Sequence, residues 1–352
     1  MTDELVEGVR AGKRRAIART ISLVEDCGAE AQATLAALHP HTGQAHIIGV
    51  TGPPGSGKST LVNALALHFR KETAEGGSRT VGIIAVDPTS PFSGGAILGD
   101  RIRMRDLAGD RGIFIRSMAS RGNLGGLAWA TADAVKVLDA AGYDLVIVET
   151  VGAGQAEVDI ARTAHTTVVV EVPGLGDDVQ AIKAGILEIA DVFAVNKADL
   201  EGADHAVMAL RMMLDLDAGG GQTVMHHGRL MEVAAGADAQ PGAAPQSEEE
   251  QATAPWRPPI VKTVATRQEG TPELAAAILA HRAHLEESGM LARRQRARAA
   301  AELETIIQQE SLRRVLARTD PGELETLLER IARRDLDPYA AAQELLGSPQ
   351  TP

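Results

Sequence analysis

The sequence predicts an α/β fold in which a mainly parallel β-sheet is covered by helices on both faces. From residue 46 to about residue 280, short Val/Ile-rich runs alternate with amphipathic segments, as in repeated βαβ units. The first apolar run leads directly into a glycine-rich loop and then a helical pattern, which is typical of such folds. The predicted strands are residues 46–51, 80–86, 112–117, 144–149, 166–172, 191–196 and 259–264.

Helical patterns flank this predicted sheet on both sides. Apolar residues recur at helical spacing over residues 3–38, which predicts an N-terminal helical extension over residues 1–42. A central domain is predicted over residues 43–285 and a C-terminal helical region over residues 286–352. The apolar stripes of that last region need a partner surface, so we expect a dimerisation arm. The helices predicted towards the C-terminus are residues 271–287, 290–317, 321–334 and 337–346.

Residues 217–255 interrupt the alternation of strands and helices. Gly, Ala, Gln and Glu dominate this segment, which includes three consecutive glycines at 219–221 and three glutamates at 248–250. It holds too little apolar surface to offset the entropy lost on ordering. We therefore expect a flexible insertion within the central domain.

Composition limits the function classes that remain open. Of the 352 residues, 44% are hydrophobic but only 2% are aromatic, so a large core must be built from Ala, Val, Ile and Leu. A net charge of −12 without aromatic–basic interleaving argues against nucleic-acid binding. The single cysteine, Cys27, rules out a disulfide framework. With no apolar leader and no run long enough to span a membrane, we expect a cytoplasmic protein without a membrane partner.

The glycine-rich loop after the first predicted strand fits the pattern GxxxxGK(S/T). Its backbone N–H groups can curl around an anion, which the N-terminus of the following helix also attracts. Lys58 would reach the β- and γ-phosphates, and the Ser59 hydroxyl would bind Mg²⁺. The chain is thus predicted to bind a nucleoside triphosphate through Gly52, Pro53, Pro54, Gly55, Ser56, Gly57, Lys58, Ser59 and Thr60.

A second motif indicates which base is bound. The apolar run at 191–195 leads into Asn196-Lys197-Ala198-Asp199, an NKxD sequence at the end of a predicted strand. The Asp199 carboxylate can accept bonds from guanine N1–H and the exocyclic amine, whereas adenine offers no matching donor pair. Lys197 would lay its alkyl stem over the base, and Asn196 would tie this loop to the phosphate loop. GTP is therefore favoured over ATP.

Acidic residues at other predicted strand ends suggest magnesium and switch chemistry. Asp87 ends the second predicted strand, and Glu149 ends the fourth, where many phosphate-loop proteins carry aspartate. Asp100 lies on a Gly-rich stretch suited to reorganise around a γ-phosphate, and Gly152 would sense that phosphate. Gln155 and Asp100 both remain candidates for positioning the attacking water. The predicted Mg²⁺ ligands are Ser59, Asp87, Asp100 and Glu149, and the predicted catalytic residues are Lys58, Asp87, Asp100, Glu149 and Gln155.

Longer segments resemble one known family. VDPTSP at residues 86–91, followed by GGAILGDRIRM at residues 94–104, is closely similar to the MeaB/MMAA family of GTPases, formerly called ArgK or LAO/AO transport ATPases. The resemblance continues through IRSMASRG at 115–122, ETVGAGQAE at 149–157 and WRPPI at 256–260. It spans almost the whole chain.

The resemblance implies a P-loop NTPase of the SIMIBI type, within the metallochaperone GTPase group, that uses GTP/GDP and Mg²⁺. Such proteins assist an adenosylcobalamin-dependent acyl-CoA mutase, typically methylmalonyl-CoA mutase, in cofactor loading, protection and reactivation. They form homodimers through C-terminal helices. Residues 173–183 resemble the family's additional switch, with Gln180 and Lys183 as its polar residues. Where the family has a Ser-Ala pair this chain has Val264-Ala265, so only a backbone contact from Ala265 to guanine is expected.

Other interpretations stay open at this point. The client could be a related enzyme, such as isobutyryl-, ethylmalonyl- or 2-hydroxyisobutyryl-CoA mutase. A metal-delivery protein of the same fold group normally carries Cys/His motifs, and the histidines at 39, 41, 46, 226 and 227 have no cysteine nearby. A transport-associated kinase would need an acceptor pocket with a general base, which no motif requires.

Overall fold

The computed structural model describes residues 2–26, 28–71, 77–88, 107, 109–120, 126–150, 156–174, 188–217, 223–226, 229–232 and 255–347. The chain divides into two compact units, Met1–Gly289 and Met290–Pro352. The predicted N-terminal extension belongs to the first unit, and the division falls a few residues after the predicted boundary at 285/286.

A seven-stranded sheet forms the centre of the first unit. Its strand order is β3-β2-β4-β1-β5-β6-β9, and every pairing between neighbours is parallel. The predicted parallel α/β fold is therefore confirmed, and parallel strands place their carboxyl ends, where ligands bind, at one edge. The strands are β1 His46–Thr51, β2 Val81–Pro88, β3 Ile113–Ser120, β4 Leu145–Thr150, β5 Thr166–Glu171, β6 Val192–Val195, β7 Thr223–His226, β8 Arg229–Glu232 and β9 Ile260–Lys262.

Helices cover the sheet and form the second unit. The stretch predicted as helical over 3–38 is three helices, and the first ends at Arg10, two residues before Gly12, which has a left-handed φ of 65°. The helices are α1 Thr2–Arg10, α2 Arg14–Glu25, α3 Ala29–Leu38, α4 Lys58–Arg70, α5 Gly126–Ala140, α6 Ala156–Thr163, α7 Ala203–Asp217, α8 Thr271–Glu287, α9 Met290–Arg318, α10 Pro321–Ala332 and α11 Pro338–Leu346.

Both faces of the central strands are buried, which explains their continuous Val/Ile composition. Successive side chains of a strand point to opposite faces. On β4, Leu145 and Ile147 pack with α4 and α8, whereas Val146 and Val148 pack with α1–α3 and α5. The sequence of a strand buried on both faces is a continuous apolar run rather than an alternation of apolar and polar residues.

The N-terminal helices are part of this core. Ile17, Ile21 and Val24 of α2 are fully or almost fully buried and belong to the same apolar cluster as Ile84 of β2. At the edge of the sheet, Arg116 of β3 forms an ion pair with Glu25 of α2. The apolar residues that recur along α2 are therefore buried against one face of the sheet.

The second unit consists of α9, α10 and α11. Asp320 caps α10 by accepting a bond from the N–H of Gly322, and Asp337 caps α11 in the same way from Tyr339 and Ala340. Large apolar side chains on α9 are exposed, namely Leu303, Ile306, Ile307, Leu312 and Leu316.

The segment predicted as a flexible insertion contains two strands that the sequence did not predict. β7 and β8 pair antiparallel, with Thr223 opposite Glu232 and His226 opposite Arg229. Its other residues from 218 to 254 lie outside the described part of the chain. None of the helices in the described ranges combines the length and apolar composition needed to span a lipid bilayer.

Candidate nucleotide-binding site

The predicted phosphate loop connects the carboxyl end of β1 to the N-terminus of α4. β1 ends at Thr51 and α4 begins at Lys58, so residues 52–57 form the connection. β1 lies at the centre of the sheet between β4 and β5, with Val50 opposite both Glu149 and Val168. Within the loop Pro53 is buried, Pro54 and Gly55 are exposed, and Thr60 is half-buried in the first turn of α4.

Two glycines of this loop have no substitute among L-residues. Gly52 has φ 140°, and a Cβ there would lie 2.1 Å from the carbonyl oxygen of Val170. Gly57 has φ 88°, and its Cβ would lie 2.5 Å from Asn196 Nδ2. The loop can follow this path, close to its neighbours, because these side chains are missing.

Lys58 places its charge inside the loop. Its side chain is buried, and Nζ donates to the carbonyl oxygens of Gly52 at 2.7 Å and of Pro53 at 2.9 Å. The ammonium group of Lys58 and the N-terminus of α4 therefore both lie at the phosphate loop. Both favour a bound anion there.

Ser56 supplies a second polar group to the loop. The residue is fully buried, and its hydroxyl has no hydrogen-bond partner among the residues that the structure describes. A buried hydroxyl without a bond is costly, so this site is suited to a ligand that supplies one.

Ser59 and Glu149 form a buried pair of oxygen ligands beside the loop. Ser59 Oγ donates to Glu149 Oε1 at 2.6 Å, and both residues are at most 9% exposed. One residue further along β4, the Thr150 hydroxyl donates to the Thr51 hydroxyl at 3.0 Å and joins the carboxyl ends of β1 and β4. A hydroxyl and a carboxylate are hard oxygen donors, which Mg²⁺ prefers, so this pair fits the predicted metal.

The structure describes only in part the other residues that were predicted to lie near the phosphates. Asp87 lies in β2 opposite Ala119 of β3, one residue beyond the point where Val86 faces Thr150, so its backbone is at the same edge of the sheet as Glu149. Its side chain is not described. The structure does not describe Asp100, Gly152, Gln155, Gln180 or Lys183.

Asn196 joins three segments below the predicted base site. It follows β6 directly and is 2% exposed. Its Nδ2 donates to the carbonyl oxygen of Ser56 at 2.8 Å, and its Oδ1 accepts from Thr263 Oγ1 at 3.2 Å and from the N–H of Ala265 at 3.1 Å. One buried amide therefore connects the phosphate loop, the NKxD loop and the turn after β9.

Lys197 and Asp199 lie further out on the NKxD loop. Lys197 has a left-handed φ of 55°, a strained conformation that often occurs at functional sites. Its Nζ donates to the carbonyl oxygen of Gly55 at 2.8 Å, so its alkyl stem runs from this loop to the phosphate loop. The Asp199 side chain is 38% exposed, and its Oδ2 lies 3.5 Å from an Arg267 nitrogen.

Sequence reasoning missed several contributors to this arrangement. A backbone contact from Ala265 to guanine was expected; in the structure the N–H of Ala265 donates to Asn196 Oδ1, a bond that was not predicted. The Thr263 hydroxyl and Arg267 were not predicted to take part. A threonine at the end of a predicted strand was a weak signal for the former, but nothing in the local sequence connects Arg267 with a residue 68 positions earlier.

Histidines form a separate cluster at the opposite, amino-terminal edge of the sheet. Thr166 Oγ1 lies 2.8 Å from His46 Nε2 and 2.9 Å from His281 Nδ1, and His281 Nε2 lies 3.2 Å from Asp191 Oδ1. Burial, followed by the charge of Arg282, lowers the pKa of His46 to about 3. The described residues contain no group of three or more His, Cys, Asp or Glu side chains suited to a metal ion.

Comparisons with known proteins agree with this geometry. The family model of the methylmalonyl-CoA mutase-associated GTPase MeaB matches residues 17–320. A predicted GTPase of Pyrococcus abyssi is 48% identical over 98% of this chain and 96% of its own length. GTPase ArgK of Escherichia coli is 41% identical over 59% of this chain and 62% of its own length.

A solved structure supports the same fold. The crystal structure of an LAO/AO transport system kinase superposes with a TM-score of 0.64 and 26% identity, covering 98% of this chain and 96% of that one. The resemblance stated from the motifs is therefore confirmed. Since the family model spans most of the sequence and the relatives are named as GTPases, the chain belongs to the MeaB family of GTPases.

Proposed function

We propose that this GTPase binds GTP with Mg²⁺ between the phosphate loop and the NKxD loop and passes its nucleotide state to an adenosylcobalamin-dependent acyl-CoA mutase. Methylmalonyl-CoA mutase is the first candidate, because the matched family is described by its association with that enzyme. The assistance would consist of cofactor loading, protection and reactivation of the mutase in the cytoplasm. The observation that carries the nucleotide site is the buried Asn196 amide, which fixes the base-reading loop to the phosphate loop.

Each part of the proposed site has a distinct task. Lys58 and the N-terminus of α4 hold the phosphates, and the buried Ser56 hydroxyl gains a bond when they are bound. Ser59 and Glu149 would hold Mg²⁺, with Asp87 at the neighbouring strand end, and the ion would neutralise phosphate charge. Asp199 would accept hydrogen bonds from the edge of guanine. The alkyl stem of Lys197 would cover the base, and the turn of Ala265 would lie beside it. Hydrolysis mainly needs positioning and charge neutralisation, so we expect slow intrinsic turnover.

The residue that positions water and the relay to the mutase are proposals for segments outside the described residues. Asp100 and Gln155 remain the two candidates for the first role, with Gly152 as phosphate sensor. Gln180 and Lys183 are proposed for the second. A variant of either relay residue should keep basal GTP hydrolysis and lose its response to the mutase. A variant of the water-positioning residue should lose hydrolysis in both conditions.

We also propose that the protein is a homodimer that pairs through α9. Its exposed Leu303 and Ile307 are one helical turn apart and lie on the same side of the helix. Exposed apolar rows of this kind support a partner surface. Light scattering after size exclusion should give twice the chain mass for the native protein and a single-chain mass for Leu303→Lys combined with Ile307→Lys. A single-chain mass for the native protein would contradict the proposal.

Stimulated turnover tests the proposed function. GTP hydrolysis should be measured alone, with methylmalonyl-CoA mutase and with each related mutase, using heat-denatured mutase as the control. We expect a rise in turnover with one native mutase and none with the control. No response to any of the mutases would overturn the proposed client class while leaving the GTPase activity intact.

The kinase interpretation is tested separately. The matched crystal structure is described as a transport system kinase, so transfer of the γ-phosphate to a small acceptor is the second candidate. With γ-labelled GTP, hydrolysis releases the label as inorganic phosphate. Label that instead moves to an added small-molecule acceptor would favour the kinase.

A further inference from the structure

The turn that follows β9 holds an arginine in a fixed orientation next to the NKxD loop. Arg267 donates from Nε to Glu269 Oε1 at 2.8 Å and from its second terminal nitrogen to Glu269 Oε2 at 3.3 Å. Two parallel bonds to one carboxylate fix the plane of the guanidinium group. Its remaining nitrogen faces Asp199 Oδ2 at 3.5 Å.

The backbone beneath this arginine is a tight turn. The N–H of Val264 donates to the carbonyl oxygen of Glu269 at 3.0 Å, and the N–H of Arg267 donates back to Val264 at 2.9 Å. Gln268 has a left-handed φ of 57°, and a Cβ on Gly270 would lie 2.0 Å from the carbonyl oxygen of Lys262. The turn therefore presents Arg267 from a closely defined position.

Side-chain contacts at both ends of the NKxD loop join it to this turn, in addition to the backbone bond from the N–H of Ala198 to the carbonyl oxygen of Thr263 at 3.0 Å. The buried end is the Asn196 amide, which binds Thr263 and Ala265. The outer end is the ion pair of Asp199 with Arg267. Val264 lies between them in the turn and has no side-chain donor, so Arg267 is the group of this turn that reaches the carboxylate.

We propose that Arg267 is a positioning residue for Asp199, which holds the carboxylate in the orientation that reads both the N1–H and the exocyclic amine of guanine. The inference rests on the proposed guanine site. At 3.5 Å the contact is an ion pair rather than a strong hydrogen bond, so both carboxylate oxygens keep lone pairs for the base. Because the pair is about half exposed, its effect is modest and is screened by salt.

Inosine nucleotides distinguish positioning from a general structural role. Inosine keeps N1–H and lacks the exocyclic amine, so it needs one oxygen of Asp199 where guanine needs two. Calorimetry with GDP, IDP and ADP should show that Arg267→Ala lowers the GDP-to-IDP affinity ratio by roughly threefold. Arg257→Ala is the matched control, because it removes another exposed Arg–Asp pair, with Asp215, and should leave the ratio unchanged.

Further conditions keep the result unambiguous. Glu269→Gln, which releases the arginine, should lower the ratio in the same direction, and Arg267→Lys should retain part of it. Raising salt from about 50 mM to about 500 mM should reduce the ratio of the native protein but not that of Arg267→Ala. Equal loss of GDP and IDP affinity, or no loss, in Arg267→Ala would overturn this inference alone. A native protein that does not prefer GDP over both IDP and ADP would overturn the guanine site as well.

Discussion

Asn196 donates its side-chain N–H to the carbonyl oxygen of Ser56 at 2.8 Å, a buried hydrogen bond between residues 140 positions apart in the chain. The first residue directly follows β6 and the second lies in the phosphate loop after β1. In the sheet, β5 separates these two strands. The bond therefore crosses the carboxyl end of β5 and sets the spacing between the two loops of the proposed nucleotide site.

Removing this amide should affect both stability and binding. Asn196→Ala leaves buried donors and acceptors of Ser56, Thr263 and Ala265 without their partner, and we expect a loss of about 2–3 kcal/mol in the free energy of unfolding. GTP affinity should fall at least about tenfold, because the two loops lose their fixed spacing. Urea unfolding and calorimetry measure these effects. Asn196→Asp keeps the acceptor but buries a carboxylate against the carbonyl oxygen of Ser56, so it should lose at least as much stability as Asn196→Ala.

The glycines of the phosphate loop offer a matched comparison. Gly52→Ala places a Cβ 2.1 Å from a backbone oxygen and should cost at least about 3 kcal/mol of unfolding free energy. Gly55 also has a positive φ, of 77°, but its Cβ would meet nothing within 4 Å. Gly55→Ala should therefore cost only about 1–2 kcal/mol, from backbone strain alone. Thermal or urea unfolding measures both losses. If Gly52→Ala and Gly55→Ala lose the same free energy of unfolding, the close contact at Gly52 does not contribute to the cost.

Glu149 should make nucleotide binding depend on magnesium. Glu149→Gln keeps an oxygen that can accept the Ser59 bond but removes the charge that would favour a divalent cation. We expect GTP hydrolysis to fall about a hundredfold, and the gain in GTP affinity on adding Mg²⁺ to disappear. Titration of both quantities against Mg²⁺ tests this. Unchanged magnesium dependence in Glu149→Gln would place the metal elsewhere.

The buried histidine cluster predicts a specific loss of stability in acid. The pKa of His46 is lowered from 6.5 to about 3 in the folded protein, so between these values the unfolded chain binds a proton that the folded chain does not. Stability is therefore fully present above pH 6.5 and is lost as the pH falls towards 3, by up to about 5 kcal/mol. The groups facing this ring are Thr166, His165, His281, Arg282 and Arg79.

His46→Gln tests that assignment. Glutamine can still hydrogen-bond to Thr166 but does not titrate, so the slope of unfolding free energy against pH between about 6 and 4 should become shallower. Urea unfolding across this range is the measurement. An unaltered slope would mean that groups other than His46 dominate the acid sensitivity.

Parts of the fold could be predicted from the sequence because they depend on patterns of residues that are close together in the chain. β1, β4 and β5 are buried on both faces, so their apolar runs were strong signals, and the glycine-rich loop has a fixed spacing. The strand order and the packing of α2 against the sheet depend on contacts between distant segments, which periodicity does not encode. β7 and β8 are four residues each within a Gly- and Ala-rich segment, too short to produce a clear pattern.

The candidate site, like the fold, could be predicted from the sequence only in part. Lys58, Ser59 and Asn196 belong to motifs whose residues are adjacent in sequence, and the structure places them at one edge of the sheet. The contact between Arg267 and Asp199 arises only because β9 pairs with β6, which brings two loops side by side. Charge pairs of this kind have no sequence signature before the topology is known.

Calorimetry on the purified protein can show whether the proposed triphosphate site selects guanine. Titration with GTP and ATP in Mg²⁺, repeated on Lys58→Ala, should show at least about hundredfold preference for GTP in the native protein. GTP affinity and hydrolysis should be largely lost in the variant. Equal affinity for the two nucleotides would contradict guanine selection, and an unchanged affinity and hydrolysis rate in Lys58→Ala would contradict a triphosphate site at this loop.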